Sequence, residues 1–194
     1  MVCFDVESTA ISGLLELTPK VFNDERGYFF ESYNAQALSE IGICKNFVQD
    51  NESRSTRGVL RGLHMQRNKP QAKLVRVVKG EVYDVAVDVR PESPTFREWH
   101  GVHLSEENKK QFYIPEGFLH GFLTLSEEAI FAYKCSDYYD PAGEVGVRYD
   151  DPDIGIKWPL HLLSASDRSP ILGSKDAQNL SLTEISSNES ERGA

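Results

Sequence analysis

The chain has 194 residues, 40% of them apolar, enough for one domain with a proper core and short for two. A formal net charge of −9 at pH 7 argues against long-range attraction to nucleic acid or to an anionic membrane, so any anionic ligand must be held by a local basic cluster. The three cysteines (Cys3, Cys44 and Cys135) lack C-x-x-C spacing and fit neither a disulfide framework nor a zinc site; with no basic start before an apolar run and no long apolar window, a soluble protein in a reducing cytoplasm is expected.

Apolar residues recur mostly at period two and are interrupted by Gly, Pro and acidic turns, which predicts a mainly β fold. In chain order, strands are expected over 14–18 and 28–33, then a short peripheral helix over 35–41 capped by Asn34 and stopped by Gly42. Further strands are expected over 57–66, 73–79, 81–90, 98–104, 111–114, 120–125 and 129–137. Only Gly80 separates 73–79 from 81–90, so that pair reads as a hairpin or as one bent ladder. Within 81–90, Tyr83, Val85, Val87 and Val89 share one face, while Asp84, Asp88 and Arg90 make the other a wet one. So many short antiparallel strands predict a jelly-roll β-barrel with a few short peripheral helices, one domain over 1–182 and a polar, loose tail over 183–194.

Chemistry-bearing side chains gather in five segments. Arg26 sits in a turn that feeds an aromatic strand containing Glu31, and Gln49, Asp50 and Asn51 form a run suited to reading hydrogen bonds on a sugar or a base. Arg61 and His64 have opposite strand parity, but a bulge at Gly62 would let both aim at one cavity. Lys73 shares parity with Val75 and Val77, and an inward lysine calls for a reason such as a developing oxyanion. His120 follows a Pro-x-Gly turn, and Tyr133 shares a face with Phe131. Each has a plainer reading as a solvated turn, a strand-end histidine or core aromatic. The histidines (His64, His100, His103, His120 and His161) include no His-x-His pair, which argues against a catalytic metal. Nucleotide-binding glycine loops and a serine elbow are absent from the sequence.

Over 14–182 the segments DERGYFFES, FVQDN, LRGLHMQ, KLVRVVKGEVYDVAVDVR, SPTFREWHGVHLS, IPEGFLHGF, AYKCSDYY and DDPDIGIKWP follow one another in that order. Together they resemble the dTDP-4-dehydrorhamnose 3,5-epimerase family, a metal-free branch of the cupin jelly rolls. The resemblance implies that His64 is the general base, that Tyr133 returns a proton from the opposite face of the sugar, and that Lys73, with His120 nearby, lies at the ketone oxygen. It also implies that Arg26, Glu31, Gln49, Asp50, Asn51, Arg61 and Glu144 hold the nucleotide, diphosphate and sugar, with Tyr139 stacked on thymine. An aspartate is expected to orient the base, and two stretches compete for it: 163–167, ending in Asp167, and 172–176. The second keeps Pro170 and the Lys-Asp pair, so Asp176 is preferred, with Lys175 on the ligand. A dTDP-sugar substrate, no cofactor and a homodimer are further implications. Competing readings are a single-centre epimerase, a non-catalytic sugar-binding module and a metal-dependent cupin.

Overall fold

A strand with one apolar face buries it only when a second layer covers that face, and here two sheets cover each other. The computed structural model describes residues 4–163 and 169–186. In chain order its elements begin with β1 (Phe4–Ser8), β2 (Leu15–Pro19), β3 (Phe22–Asp24), β4 (Gly27–Phe29) and helix α1 (Ala35–Glu40). They continue with β5 (Gln49–Thr56), β6 (Val59–Gln66), β7 (Lys73–Lys79), β8 (Glu81–Asp88) and β9 (Trp99–Ser105). The remaining strands are β10 (Gln111–Ile114), β11 (Phe118–Thr124), β12 (Glu128–Cys135), β13 (Glu144–Gly146) and β14 (Ile171–Leu172). One sheet runs β1-β2-β10-β7-β12-β5, the other β13-β6-β11-β8-β9 with β14 beside β6, and β3 and β4 form a separate hairpin.

Between the sheets lies a core of Val75, Val77, Phe112, Ile114 and Phe131 from the first and Val82, Ala86, Phe118 and Phe122 from the second. Both sheets are also covered from outside. Helix α1 lays Ala37 and Leu38 against Leu17, Leu74 and Tyr113, and its Asn34 cap accepts from the Gln36 and Ala37 N–H groups at 3.1 Å. Gly42 follows the helix at φ +88°, the left-handed position expected for its stop. Across the second sheet, Val147, Ile154 and Leu182 pack on Leu63, Val85, Val87 and Leu119.

Three expectations are corrected. β7 and β8 are not a hairpin: β7 pairs with β10 and β12, β8 with β9 and β11, and at Gly80 the chain passes from one sheet to the other. The face of β8 read as wet points into the sandwich, where Asp84 and Asp88 are fully buried. Thr183 to Ser186, read as the start of a loose tail, belong to a helical turn that begins at Leu182. Ser181 and Glu184 cap it reciprocally: the Ser181 N–H donates to Glu184 at 2.8 Å and the Glu184 N–H to the Ser181 hydroxyl at 3.2 Å. Residues 187–194 lie outside the described residues.

Asp88 accepts from the Arg90 N–H and guanidinium and from the hydroxyls of Ser93 and Thr95, tying the loop after β8 to the strand end. Burial pushes this carboxyl up, but those bonds outweigh it and hold it down at about 2, against an ordinary 3.8. Because the folded value lies below the unfolded one, roughly 2 kcal/mol of stability is present above about pH 4 and disappears as pH falls toward 2. In urea melts from about pH 6 to about pH 2, Asp88→Asn should be the less stable protein at the upper end and lose less stability on acidification; parallel curves would contradict this. A Cβ on Gly62, at φ +116°, would stand 2.6 Å from Gly121 Cα and 2.7 Å from the His120 carbonyl oxygen. Gly62→Ala should therefore cost at least about 2 kcal/mol in the same measurement.

Candidate active site

At one end of the sandwich the inward positions turn polar. Across the β6–β11 pair, His64 stands opposite His120, and between His120 and Phe122 the register shifts by way of Gly62. On the facing sheet, Lys73 opens β7 opposite Cys135 of β12, and Tyr133 lies two residues before Cys135, opposite Val75. The space between is a cavity of two adjoining lobes, about 100 and 200 Å³, which share His64, Lys73 and Tyr133. Arg61 and His64 line the larger lobe together, as the bulge at Gly62 predicted.

Nε2 of His64 lies 2.6 Å from Oδ1 of Asp176, and a longer bond, 3.4 Å, comes to the same carboxylate from the Gly62 N–H. Burial raises the Asp176 carboxyl, but His64 and the Gly62 N–H outweigh it, so Asp176 lies below the ordinary range. An ionised carboxylate only accepts, so the imidazole nitrogen it faces, Nε2, is the donor of this bond. Asp167, the rival for this role, lies outside the described residues.

Tyr133 differs from an ordinary core tyrosine. Its ring packs against the core beside Phe131, yet its phenol makes no hydrogen bond to any described residue. Burial, with the acidic groups of Cys135, Glu144 and Tyr139, holds it above the usual phenol range against the pull of Arg61, so it carries its proton at neutral pH. Lys73 is pushed down by burial, opposed by Cys135, Asp84 and Glu144. Nε2 of His120 meets both oxygens of Asp84 at 3.1 and 2.9 Å, with side chains 8% and 0% exposed. Burial drives His120 down and Asp84 up, each resisted by its partner.

The smaller lobe is amide-rich, lined by Gln49, Asn51, Gln66 and Gln71. At its edge Glu144 accepts from the Tyr139 phenol and from Lys175 Nζ, both at 2.5 Å. Gln66 holds the Tyr139 loop, donating to the Tyr138 carbonyl oxygen at 3.2 Å and accepting from the Asp140 N–H at 2.8 Å. Three of the predicted residues lie elsewhere. Asp50 points out of β5, where it pairs with Lys134 at 2.6 Å beside a separate concavity of about 320 Å³ on the outer face of the first sheet. Arg26, 84% exposed and paired with Asp24, sits on the projecting β3–β4 hairpin, and Glu31 just beyond it accepts from Asn34 at 3.4 Å.

Sequence reasoning passed over Asp84, Ser53, Gln66 and Gln71. Asp84 was hidden by the wet-face reading of its strand, and the other three are polar residues on strands or loops whose inward side is lined by side chains other than hydrocarbon. Among the described residues, no three His, Cys, Asp or Glu side chains are grouped to hold a metal ion.

The family model described as dTDP-4-dehydrorhamnose 3,5-epimerase matches residues 8–184. A dTDP-4-dehydrorhamnose 3,5-epimerase of Salmonella typhimurium is 57% identical over 174 residues, 89% of this chain and 92% of that protein. One from Methanothermobacter thermautotrophicus is 55% identical over 163 residues, 84% and 88% of the two chains. A crystal structure of dTDP-6-deoxy-D-glucose-3,5-epimerase from Legionella pneumophila, in complex with dTDP-4-keto-L-rhamnose, is 51% identical and superposes with a TM-score of 0.89 over 94% of each chain. The cupin-like jelly roll, the paired His64 and the sequence agreement across nearly the whole domain lead to one conclusion: the chain belongs to the dTDP-4-dehydrorhamnose 3,5-epimerase family.

Proposed function

We propose that this protein inverts C3 and C5 of dTDP-4-dehydro-6-deoxy-D-glucose, giving dTDP-4-dehydro-L-rhamnose. The observation that carries the reading is the placement of a carboxylate-oriented imidazole on one sheet and an unpaired, protonated phenol on the other, across one cavity. Protons on C3 and C5 are acidic only because the carbanion delocalises into the 4-ketone, so the site needs a base, a stabiliser of enolate charge and a second proton donor. His64 Nδ1 takes the proton as the C–H electrons move toward the ketone oxygen, and Asp176 balances the imidazolium. Lys73 faces the oxygen as negative charge develops there. Tyr133 then delivers a proton to the other face of the carbon; His64 passes its proton to solvent and Tyr133 takes one up, and the sequence repeats at the second centre. No electrons are gained or lost, so the reaction needs no redox cofactor.

Arg61, Lys175 and the amide-lined lobe suit a diphosphate, base and sugar, with Tyr139 available to stack on thymine once its phenol leaves Glu144. A homodimer fits the β3–β4 hairpin. Phe22, Tyr28 and Phe29 are 50–67% exposed there, and Arg26 and Glu31 would approach a nucleotide held by a second copy. No helix among the described residues is long and apolar enough to cross a membrane, and Cys44 and Cys135 are free thiols, in keeping with a cytoplasmic setting.

Chelator-treated protein, given the dTDP-4-keto sugar in deuterated water and followed by NMR, should place deuterium at both C3 and C5. His64→Ala should slow this by at least about 100-fold. Deuterium at only one carbon would replace the reading with a single-centre epimerase, and none at either would leave a sugar-binding module.

A further inference from the structure

The cavity holds a second histidine–carboxylate pair, built differently from the first. His64 and Asp176 are 28% and 10% exposed and lie where the base must meet the sugar; Asp84 is fully enclosed on β8 and His120 nearly so on β11. Asp84 stands opposite Phe122 in the register, one inward position along from the His120–Ala86 pair, so it reaches the imidazole from below and has no solvent to share its charge. Among the described residues, His120 Nδ1 has no protein partner, while Nε2 is occupied by both carboxylate oxygens. Lys73 comes from the opposite sheet and lines the same lobe as His120, the hydrogen-bond partner of Asp84.

An isolated ammonium in such a place would shed its proton, because desolvation penalises the charged form. The titratable and charged groups around Lys73 are Cys135 and Tyr133 on β12, Glu144 on β13, His64 on β6, His120 on β11, Asp84 on β8, Arg61 on β6 and Asp176 above β6. Cys135 is held as a neutral thiol and Tyr133 as a neutral phenol. Asp176 is committed to His64, and Glu144 to Lys175 and Tyr139. Asp84, bonded to His120, is the remaining acidic group beneath the cavity; burial pushes it up, while His120 and Lys73 pull it back toward the charged form.

We propose that Asp84 is a positioning residue for the epimerisation: it is the buried counter-charge that keeps Lys73 protonated at the ketone oxygen, and it fixes His120 with Nε2–H turned away and the Nδ1 lone pair toward the sugar. The proposal rests on the assignment of Lys73 to the ketone. Its consequence has a definite sign. Removing the negative charge lets the Lys73 pKa fall further, so the ammonium is lost at lower pH.

The test compares wild type, Asp84→Asn and Lys73→Met for thermal unfolding and for kcat and KM across pH. Asn can still accept from His120 Nε2–H, so the variant should remain folded. The expected result for Asp84→Asn is a basic limb of kcat/KM moved toward acid by about one pH unit or more, with kcat at neutral pH down about tenfold or more and KM little changed. An unshifted limb, with activity scaling only with the folded fraction while Lys73→Met is inactive, would overturn the proposal and reduce Asp84 to a structural role. A fully active Lys73→Met would instead remove the ketone assignment, and the proposal with it.

Discussion

Everything in this site depends on holding charge between two β-sheets. Groups buried between the sheets lose much of their solvation, and there an ammonium, an imidazole and a carboxylate all resist the charged form unless partnered. His120 and Asp84 are paired between β11 and β8, with Lys73 across the same lobe on β7, and His64 and Asp176 are paired at the more open side. The low-polarity surroundings that make these groups costly to bury also strengthen any interaction with charge developing on a substrate oxygen. The binding site and the catalytic groups are therefore consequences of the same packing.

The fold meets that demand by burying both faces of most central strands. The inner faces make the apolar core next to the cavity, while α1 and the side chains of Val147, Ile154, Leu182 and Ile185 cover the outer faces, so the strands that carry His64, Lys73, His120 and Tyr133 are clamped from both sides. Gly62 and Gly121 let β6 and β11 approach closely where the register shifts, which turns Arg61 and His64 into one lobe despite their opposite parity. The turn Asp176–Gln178 then brings its carboxylate down onto His64. The strands carry His64, Lys73, His120 and Tyr133, and the loop and the turn near the edge carry Tyr139 and Lys175.

Much of this was legible because alternation is a direct imprint of a sheet that packs on one side. The boundaries of 73–79 and 111–114 agree with β7 and β10, and the Asn34 cap and Gly42 stop bracket α1. What stayed hidden was polar on its buried side. The β5 segment QDNESRST has no apolar alternation to read, because Gln49, Asn51 and Ser53 face a cavity rather than hydrocarbon. The same cause concealed Asp84, since a buried carboxylate and a solvated one look alike until their partners are known. The passage between sheets at Gly80 was invisible for another reason: a glycine between two strands marks a change of direction without saying to which neighbour the chain turns. At the site, the sequence named His64, Lys73, His120, Tyr133 and Asp176, and three dimensions were needed to place Asp50 on the outer face of its strand and Arg26 on a projecting hairpin.

The central claim is that inversion results from two proton-transfer groups on facing sheets, His64 and Tyr133, acting on opposite faces of one carbon. Tyr133→Phe, assayed with the dTDP-4-keto sugar in deuterated water, tests it most directly. The account predicts that His64 still removes and returns a proton on its own side, so deuterium enters the starting epimer while inverted product forms at least about 100-fold more slowly than in wild type. Inverted product at close to the wild-type rate would contradict it, since the second proton would then come from a group other than Tyr133.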